Sequence, residues 1–336
     1  MKKYFYLLMT AFVAVTLPSC SGDDDVEGSS ELEKNYFSIQ DGVYRNENFP
    51  QATTSETLTG VEMSDQVMNG APNFITVVTN QQVDKFFVGV EGVDGYYEYN
   101  PNISSSRASS AAGYFTYIIP VMISNSYTGD AVLILSGRLA NGYVTAIIKR
   151  PMHFLETKEG ALEIKLAFSN DKDIDLHLIT PSGKEIYYGD RGGSYTTESG
   201  EEITFGLDID SNASCRIDGI NKENIYLPEE LIENGEYKVI VDMYRNCDPT
   251  KPTSWSVVTR YKGQIIPVKT GQNPATGTYP VNAPSGDMTT VMTFTINDNS
   301  RASISTRANA KTIKSIPLSD MDEMKLFELN LRRSAL

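Results

Sequence analysis

Short apolar runs separated by turn residues fill most of the chain between Tyr36 and Asn297. Runs such as FITVVT, GYFTYIIPVMI and DAVLILSGRL are rich in Val, Ile, Tyr and Phe, and clusters of Gly, Asn, Ser and Pro separate them. Within ALEIKLAF the apolar residues Leu162, Ile164 and Leu166 occupy every second position. Because side chains alternate between the two faces of a strand, this pattern indicates half-buried strands. The sequence therefore predicts an all-β protein.

The strand pattern falls into two blocks. The first block, residues 35–154, contains about seven strands and suits an Ig-like β-sandwich. The second block, residues 155–298, repeats the pattern and predicts a second sandwich. The expected architecture is thus two tandem β-sandwich domains, a fold class that by itself implies no function.

The remaining residues, 299–336, form a predicted tail that is polar over its first half. Ser319, followed by acidic residues, resembles a helix N-cap. In the short helix that we favour, Met324, Phe327 and Leu331 would share one face. A strand is the alternative, because apolar residues also alternate in FELNL.

Two strand-like segments carry acidic residues at every second position. In DIDLHLI, Asp173 and Asp175 lie on one face of the predicted strand, and in LDIDSN so do Asp208, Asp210 and Asn212. If the two strands are neighbours, opposed carboxylates stand about 5 Å apart. Each such repulsion costs about 3 kcal/mol at an effective dielectric constant of about 20. A half-buried cluster of this kind would need a cation.

The ligand types favour calcium for that cation, because the segments offer hard oxygen atoms and neither a thiolate nor a pair of histidines. The predicted metal ligands are Asp173, Asp175, Asp208, Asp210 and Asn212. The segment starting at Asp171 is no EF-hand, since Leu176 and Ser182 occupy the positions of the required Gly and Glu. A pair of solvated edge strands, whose acids suppress aggregation, stays open as the alternative.

The N-terminus carries the marks of an exported protein. Lys2 and Lys3 precede an apolar run that is too short for a membrane span and ends in Leu-Pro-Ser-Cys20. This ending resembles a bacterial lipobox, which implies a signal peptide at 1–19, cleavage before Cys20, and a lipid such as palmitate on Cys20. The alternative is an ordinary secretory signal with an incidental cysteine.

The next stretch, SGDDDVEGSS, opens an acidic and flexible tether predicted at 20–34. An acidic patch after the lipid cysteine resembles the surface-export signal of Bacteroidota-type lipoproteins. The resemblance implies a protein anchored in the outer membrane by its lipid and exposed at the cell surface. The other two cysteines, Cys215 and Cys247, are then expected to form a disulfide in this oxidising compartment, with two buried free thiols as the alternative.

Charge and motifs restrict the function. The net charge of −14 argues against nucleic acid, because phosphate binding requires a basic face. The chain has two histidines and lacks Gly-x-Ser-x-Gly, His-Glu-x-x-His and Walker motifs, so we expect no enzyme. His177 shares the predicted face of Asp175, and we expect a surface ion pair there.

A composite motif in the second block extends beyond these patterns. DIDLHLITPSGKEIYYGD, then LDIDSNASC, then KENI resembles the YfaP-like domain of unknown function, a β-sandwich family of secreted and envelope proteins. The matching residues are Asp173, Asp175, Pro181, Gly183, Tyr187, Tyr188, Gly189, Asp208, Asp210, Asn212, Cys215, Glu223, Asn224 and Ile225. The resemblance covers 160–297 and implies a fold and an ion site, without a reaction.

The sequence thus predicts a non-catalytic lipoprotein at the cell surface that binds an extracellular glycan or protein. A structural or accessory component of an envelope assembly is the alternative. Exposed aromatic residues beside the ion site would favour the first, and a large apolar patch at a sheet edge would favour the second. Alternating Tyr97 and Tyr99 could stack on sugars, but a core position is favoured for them.

Overall fold

The computed structural model describes residues 30–101, 109–111, 113–297, 313–318, 322–326 and 330. Within these residues the protein is all-β, with sheets that are antiparallel apart from one parallel strand pair, and with α-helix at residues 31–35, 322–326 and 330. The predicted fold class is therefore confirmed. The predicted signal peptide, Cys20 and the predicted N-cap Ser319 lie outside the described residues, as do Phe327 and Leu331. No helix in the described ranges has the length and apolar content of a membrane span.

The first sandwich pairs a five-stranded sheet with a six-stranded one. Its elements are α1 (Glu31–Asn35), β1 (Phe37–Ser38), β2 (Val43–Arg45), β3 (Val61–Glu62), β4 (Gln66–Val67), β5 (Pro72–Thr79), β6 (Val83–Val90), β7 (Tyr96–Tyr99), β8 (Ser109–Ala111), β9 (Tyr114–Ile123), β10 (Ala131–Leu139) and β11 (Ile148–Phe154). The sheet orders are β1-β9-β5-β3, with β8 beside β9, and β2-β7-β6-β10-β11-β4. Alternate side chains of both sheets fill the core, where Phe86 meets Tyr117 at 5.2 Å between ring centroids. Tyr97 and Tyr99 are buried in this core, as favoured from the sequence.

The predicted tether is too long at its C-terminal end, because helix α1 begins at Glu31. The Oγ atom of Ser30 accepts a hydrogen bond from the N–H of Glu33 at 3.1 Å, which caps the helix. Leu32 is fully buried against the first sandwich. An apolar side chain and a capping serine thus order residues that their charge alone suggested would stay solvated.

The second sandwich pairs an eight-stranded sheet with a five-stranded one. Its strands are β12 (Leu162–Phe168), β13 (Asp173–Ile179), β14 (Glu185–Ile186), β15 (Gly192–Thr196), β16 (Glu202–Asp210), β17 (Lys222–Leu227), β18 (Gly235–Arg245), β19 (Thr253–Tyr261), β20 (Gln264–Ile265), β21 (Thr270–Gly271), β22 (Ala275–Tyr279), β23 (Asp287–Ile296) and β24 (Lys314–Ser315). The larger sheet has the order β20-β19-β12-β17-β16-β15-β24, with β22 beside β19, and the smaller has the order β14-β13-β18-β23-β21.

The described part of the predicted tail belongs to this second sandwich. Strand β24 pairs with β15, and residues 322–326 are helical. Within that helix Lys325 is buried, whereas Met324, expected on a buried face, is 46% exposed. The helix therefore docks through a charged residue, which apolar periodicity cannot predict.

The predicted disulfide between Cys215 and Cys247 is present. Cys215 ends a 3-10 turn, Ala213–Cys215, that follows β16, and Cys247 lies two residues beyond β18. Strands β16 and β18 belong to different sheets. The disulfide therefore ties the two sheets together at the end where the acidic residues lie.

Polar groups join the two sandwiches. The ammonium of Lys165 donates to the carbonyl oxygen of Asn69 at 2.9 Å, and that of Lys222 lies 3.4 Å from Oδ1 of Asn73. Ser64 donates through its hydroxyl to the carbonyl oxygen of Ile220 at 3.0 Å. Burial lowers the pKa of Lys222 to about 7. The outer face of the second sandwich is thus covered here by the first.

Candidate metal site

The acidic residues converge between the two sheets of the second sandwich. Asp173 and Asp175 lie on β13 of the smaller sheet, whereas Asp210 lies at the end of β16 in the larger sheet. The condition considered from the sequence, that the two strands are neighbours in one sheet, is therefore not met. Each alternating segment turns its acids toward the interior at the same end of the sandwich, so that the carboxylates meet across it.

Two further acids complete what we call the acidic cluster. Asp242 on β18 stands opposite Asp175 in the strand register, and Glu223 on β17 stands opposite Asp210. Each sheet thus presents a directly paired couple of acids. The cluster consists of Asp173, Asp175, Asp210, Glu223 and Asp242. Like charges at paired positions destabilise a sheet, so this arrangement requires compensation.

The cluster is shielded from water. Asp173, Glu223 and Asp242 are 0% exposed and Asp175 is 1% exposed. The side chain of Asp210 is 2% exposed. One oxygen atom each of Asp175, Asp210 and Glu223 lies within 4.8 Å of the other two. Three carboxylates at this spacing, out of contact with solvent, can hold a metal ion.

A lysine of the C-terminal helix enters the cluster. The ammonium nitrogen of Lys325 lies 2.9 Å from Oδ1 of Asp173, 2.7 Å from Oδ1 of Asp175 and 3.4 Å from Oδ1 of Asp210. It also lies 4.8 Å from the ring centroid of Tyr188 and 5.0 Å from that of Tyr244. An ammonium has three donors, and here three carboxylates surround them. Lys325 therefore supplies positive charge where a cation was expected.

One lysine does not balance the cluster. Arg191 adds a second positive charge, 3.6 Å from Oδ2 of Asp210, but it also lies 3.2 Å from Oδ2 of Asp322. Five acids of the cluster and Asp322 thus face two basic side chains among the described residues. Within the part of the chain that the structure describes, protons or a bound cation can offset the remaining negative charge.

Several buried carboxylate oxygens of the cluster have no hydrogen-bond partner among the described residues, although Oδ1 of Asp173 lies near Lys325 and Oδ2 of Asp210 near Arg191. Two of the others are Oδ2 of Asp175 and Oε1 of Glu223. The other oxygen of Glu223 accepts from the N–H of Leu176 at 2.7 Å, and Oδ2 of Asp173 accepts from the N–H of Ser214 at 2.7 Å. Buried polar atoms without partners are rare in folded proteins, and these two oxygens are suitable ligands for a hard cation.

Burial shifts the protonation of these groups. It raises the pKa of Asp173 to about 6, against the lowering effect of Lys325. Burial and the neighbouring acids raise the pKa of Asp175 and that of Glu223 well above their ordinary values. Burial alone would lower the pKa of Lys325, but Asp175, Asp210 and Asp173 raise it well above its ordinary value. The cluster therefore favours the charged form of Lys325 and the protonated forms of its acids.

Asp208, a predicted ligand, lies outside the cluster. Its carboxylate accepts hydrogen bonds from the N–H of Lys158 at 2.7 Å and from the side-chain amide of Asn224 at 2.6 Å. The reason is a β-bulge, because the register with β17 shifts between Leu207 and Ile209. Simple alternation would have placed Asp208 and Asp210 on one face, and the extra residue separates them.

Asn212, the other predicted ligand outside the cluster, has a structural role. Its side-chain amide donates to the carbonyl oxygen of Lys172 at 2.9 Å and to Oδ1 of Asn221 at 2.6 Å. Its Oδ1 accepts from the N–H of Asp218 at 3.0 Å. Asn212 has a positive φ of 58°, a conformation that asparagine tolerates. It therefore shapes the turn after β16, and its polar atoms are engaged.

His177 is not at the surface, as had been expected, but fully buried. Its Nδ1 atom lies 2.8 Å from Oε1 of Glu185, and its ring stacks on Tyr187 with 5.0 Å between centroids. The predicted ion pair is present in geometry, with Glu185 as the partner. Both faces of β13 are covered, so alternation alone could not identify an exposed side.

Sequence reasoning missed three residues of this site. Asp242 interrupts the apolar run KVIVDMY, and a lone acid within such a run is the signal that could have found it. Glu223 was noted only as part of the Glu-Asn-Ile motif. No sequence feature indicated that Lys325 belongs to the site, because a lysine in a polar tail normally lies in solvent.

No protein-family model matches the chain, and a search of curated proteins also finds no match. Among solved structures, one similar protein is the Bacteroides ovatus mixed-linkage glucan utilization locus protein SGBP-B in complex with a mixed-linkage heptasaccharide. It is 12% identical over 58% of this chain, with a TM-score of 0.19, and the chain spans 40% of its length. Another is the C-terminal domain of the Streptococcus agalactiae AgI/II polypeptide BspA, 9% identical over 65% of this chain and 93% of that one, with a TM-score of 0.21. Both TM-scores are too low for either structure to bear on the function of this chain.

Replacing Glu223 by Gln tests whether excess negative charge destabilises the metal-free cluster. A glutamine keeps an oxygen for the N–H of Leu176 and removes one acid. Because the pKa of Glu223 is raised on folding, the native state binds more protons than the unfolded state and loses stability as pH rises above about 4.5. With chelator at pH 7 we expect Glu223→Gln to raise the free energy of unfolding by about 1 to 3 kcal/mol, and the gain to vanish near pH 4.5.

The measurement is urea unfolding followed by the fluorescence of Trp255, the one tryptophan of the chain, which lies in the second sandwich. Glu201→Gln, at an exposed glutamate of the same domain, is the control and should change stability little. A Glu223→Gln variant that is less stable than the wild type at pH 7 would contradict this account of the cluster.

Proposed function

We propose that this chain is a non-catalytic lipoprotein of the bacterial outer membrane that binds an extracellular ligand and whose second sandwich is stabilised by calcium. The observation that carries the calcium site is the buried acidic cluster, whose acids outnumber the basic side chains that contact it in the described ranges. A hydrolytic role has less support, because the carboxylates are sealed between two sheets and Lys325 fills the space between them. Across the part of the chain that the structure describes, the carboxylates are buried and out of reach of a substrate.

Calcium suits the cluster better than zinc or magnesium. The ligands within reach are carboxylate oxygens alone, with no thiolate and no imidazole among them. Their number favours a cation that takes six to eight oxygen ligands, as calcium does. Magnesium retains several waters and demands near-octahedral geometry, for which a dry and crowded site is unsuited.

The resemblance to the YfaP-like domain is part of this proposal. Of the acids in its composite motif, Asp173, Asp175, Asp210 and Glu223 meet in the cluster. Asp208 belongs to the same motif and holds the chain near Lys158 instead. These motif residues are distant in sequence and adjacent in space. Their convergence supports a common role, which we take to be ion binding.

The surface of the first sandwich is the proposed site of ligand binding. Among the described residues, Tyr114 and Tyr143 are the tyrosines with more than half of their surface exposed, at 53% and 54%. The loop of Tyr143 borders an open cleft of about 240 Å³, lined by Gln81, Gln82, Leu139, Ala140 and Asn141. Amide groups beside an aromatic ring can hydrogen-bond to sugar hydroxyls and stack on a sugar face. We therefore favour a glycan over a protein ligand.

Calcium is expected to stabilise the second sandwich. For the chain from residue 21 onward, calcium at about 100 times its dissociation constant adds about 2.7 kcal/mol to the free energy of unfolding, which raises the melting temperature by about 5 °C or more. The melt is followed by Trp255 fluorescence with calcium and with chelator.

The matched variants for this melt lie two residues apart on β16. Asp210→Asn removes a cluster carboxylate and should abolish the calcium shift, whereas Asp208→Asn should retain it. No shift in the wild type at millimolar calcium would reject the calcium site. An equal loss in both variants would point to a general effect on β16.

Anchoring by lipid is tested by Cys20→Ala in a bacterium that processes lipoproteins. We expect the wild type to fractionate with the outer membrane, because the lipid on Cys20 anchors it. We also expect protease added to intact cells to degrade it, because the acidic tether directs export to the cell surface. The variant should leave the membrane fraction, and Ser21→Ala should not. Membrane association that survives Cys20→Ala would show that the lipid anchor is not what holds the protein.

Ligand binding is tested by a glycan screen with the chain from residue 21 onward. Tyr143→Ala should lower affinity for a bound glycan by about tenfold or more, the loss expected for a buried aromatic contact. Ile265→Ala, at an exposed apolar residue of the second sandwich, is the control. If both variants bind as the wild type does, the cleft is not the ligand site.

A further inference from the structure

We propose that Lys325 and a divalent cation compete for the acidic cluster, so that binding of the cation expels Lys325 and releases the helix of residues 322–326. The inference rests on the proposed calcium site and names its regulation. The juxtaposition that suggests it is a single buried ammonium in contact with carboxylates that could also coordinate a metal.

The first step is that both cations draw on the same carboxylates. Oδ1 of Asp175 and Oδ1 of Asp210 contact Lys325 at 2.7 Å and 3.4 Å, and the same two residues form the possible metal site with Glu223. Calcium binds oxygen at about 2.3 to 2.6 Å. An ion at that distance from these oxygens would lie nearly in contact with the ammonium, and the two positive charges would repel each other in a dry site.

The second step is that the unpartnered oxygens do not suffice without the others. Oδ2 of Asp175 and Oε1 of Glu223 are available while Lys325 is in place. Calcium takes six to eight oxygen ligands, and in a site closed to water the other carboxylate oxygens of the cluster, including those that hold Lys325, must supply the rest. Completing the coordination shell and keeping the ammonium therefore exclude each other.

The third step concerns what else holds the helix. Asp322 pairs with Arg191 at 3.2 Å, and the hydroxyl of Tyr244 donates to the carbonyl oxygen of Lys325 at 3.5 Å. Leu326 is partly buried against the core. A short helical segment depends on tertiary contacts for its stability, so loss of the Lys325 contacts is expected to free residues 322–326 from the sandwich.

Strand β24 should stay in place when the helix leaves. Its residues Lys314 and Ser315 pair with Ser194 and Gly193 through the backbone. The N–H of Ile316 also donates to the carbonyl oxygen of Gly192 at 3.2 Å. None of these bonds involves the cluster. The side chain of Lys314 is exposed, which makes it an internal reference on the same part of the chain.

Competition has a quantitative consequence. If Lys325 is docked in most molecules, only the small fraction with Lys325 undocked can bind calcium. The apparent association constant then equals the intrinsic one multiplied by that fraction. Removing the ammonium removes that reduction. Lys325→Met should therefore bind calcium about 10 to 100 times more tightly than the wild type.

The first experiment needs no variant. Acetic anhydride is applied in brief pulses to the wild-type chain from residue 21 onward, with chelator or with calcium, and peptide mass spectrometry reads the acetylation of each lysine. We expect Lys325 to react at least tenfold faster in calcium, because its amine becomes accessible, and Lys314 to react equally in both. Equal labelling of Lys325 in the two conditions, while calcium is bound, would overturn the inference.

The second experiment is calcium titration by calorimetry of the wild type, Lys325→Met and the control Lys314→Met. Tighter binding by Lys325→Met alone supports the competition, as does binding by this variant when the wild type shows none. Equal affinity of all three proteins, or weaker binding by Lys325→Met, overturns it and leaves the calcium site intact. Absence of calcium binding in all three, with Trp255 fluorescence showing folded protein, rejects the proposed calcium site itself.

Discussion

The ammonium of Lys325 lies among the carboxylates of Asp173, Asp175 and Asp210, fully removed from water. At an effective dielectric constant of about 20, an ammonium–carboxylate contact of this length is worth about 6 kcal/mol, and two carboxylates about 5 Å apart repel by about 3 kcal/mol. One well-placed cation therefore offsets several repulsions, although the burial of all these groups also carries a desolvation cost. The end of the second sandwich can close over its acids because Lys325 places a positive charge between them.

The fold supplies the means of holding like charges in place. Strand pairing fixes Asp175 opposite Asp242 in one sheet and Asp210 opposite Glu223 in the other. The disulfide of Cys215 and Cys247 links the two sheets beside the cluster. A site built on paired strands and a covalent link cannot relax by spreading its acids apart. The remaining ways to lower its energy are protonation, the internal lysine or a metal ion.

The strands, the two sandwiches and the disulfide could be predicted from the sequence, because they follow from local alternation, turn residues and cysteine parity. The convergence of Asp173, Asp175 and Asp210 was also predicted, although for the wrong geometry, since alternation places a side chain on a face without saying which strand faces it. The bulge at Asp208 depends on the register with β17, and no local pattern records it. Lys325 enters from a distant segment, and its role depends on contacts that exist only in the folded chain. Long-range pairing thus explains each of the errors.

A pair of crystal structures, one grown with chelator and one with calcium, tests the central claim most directly. The account predicts that the chelator structure shows the Lys325 ammonium between Asp173 and Asp175. The calcium structure should instead show an ion about 2.3 to 2.6 Å from oxygens of Asp175, Asp210 and Glu223, with Lys325 displaced. Carboxylates that point apart into solvent in both crystals, with neither lysine nor ion between them, would contradict it.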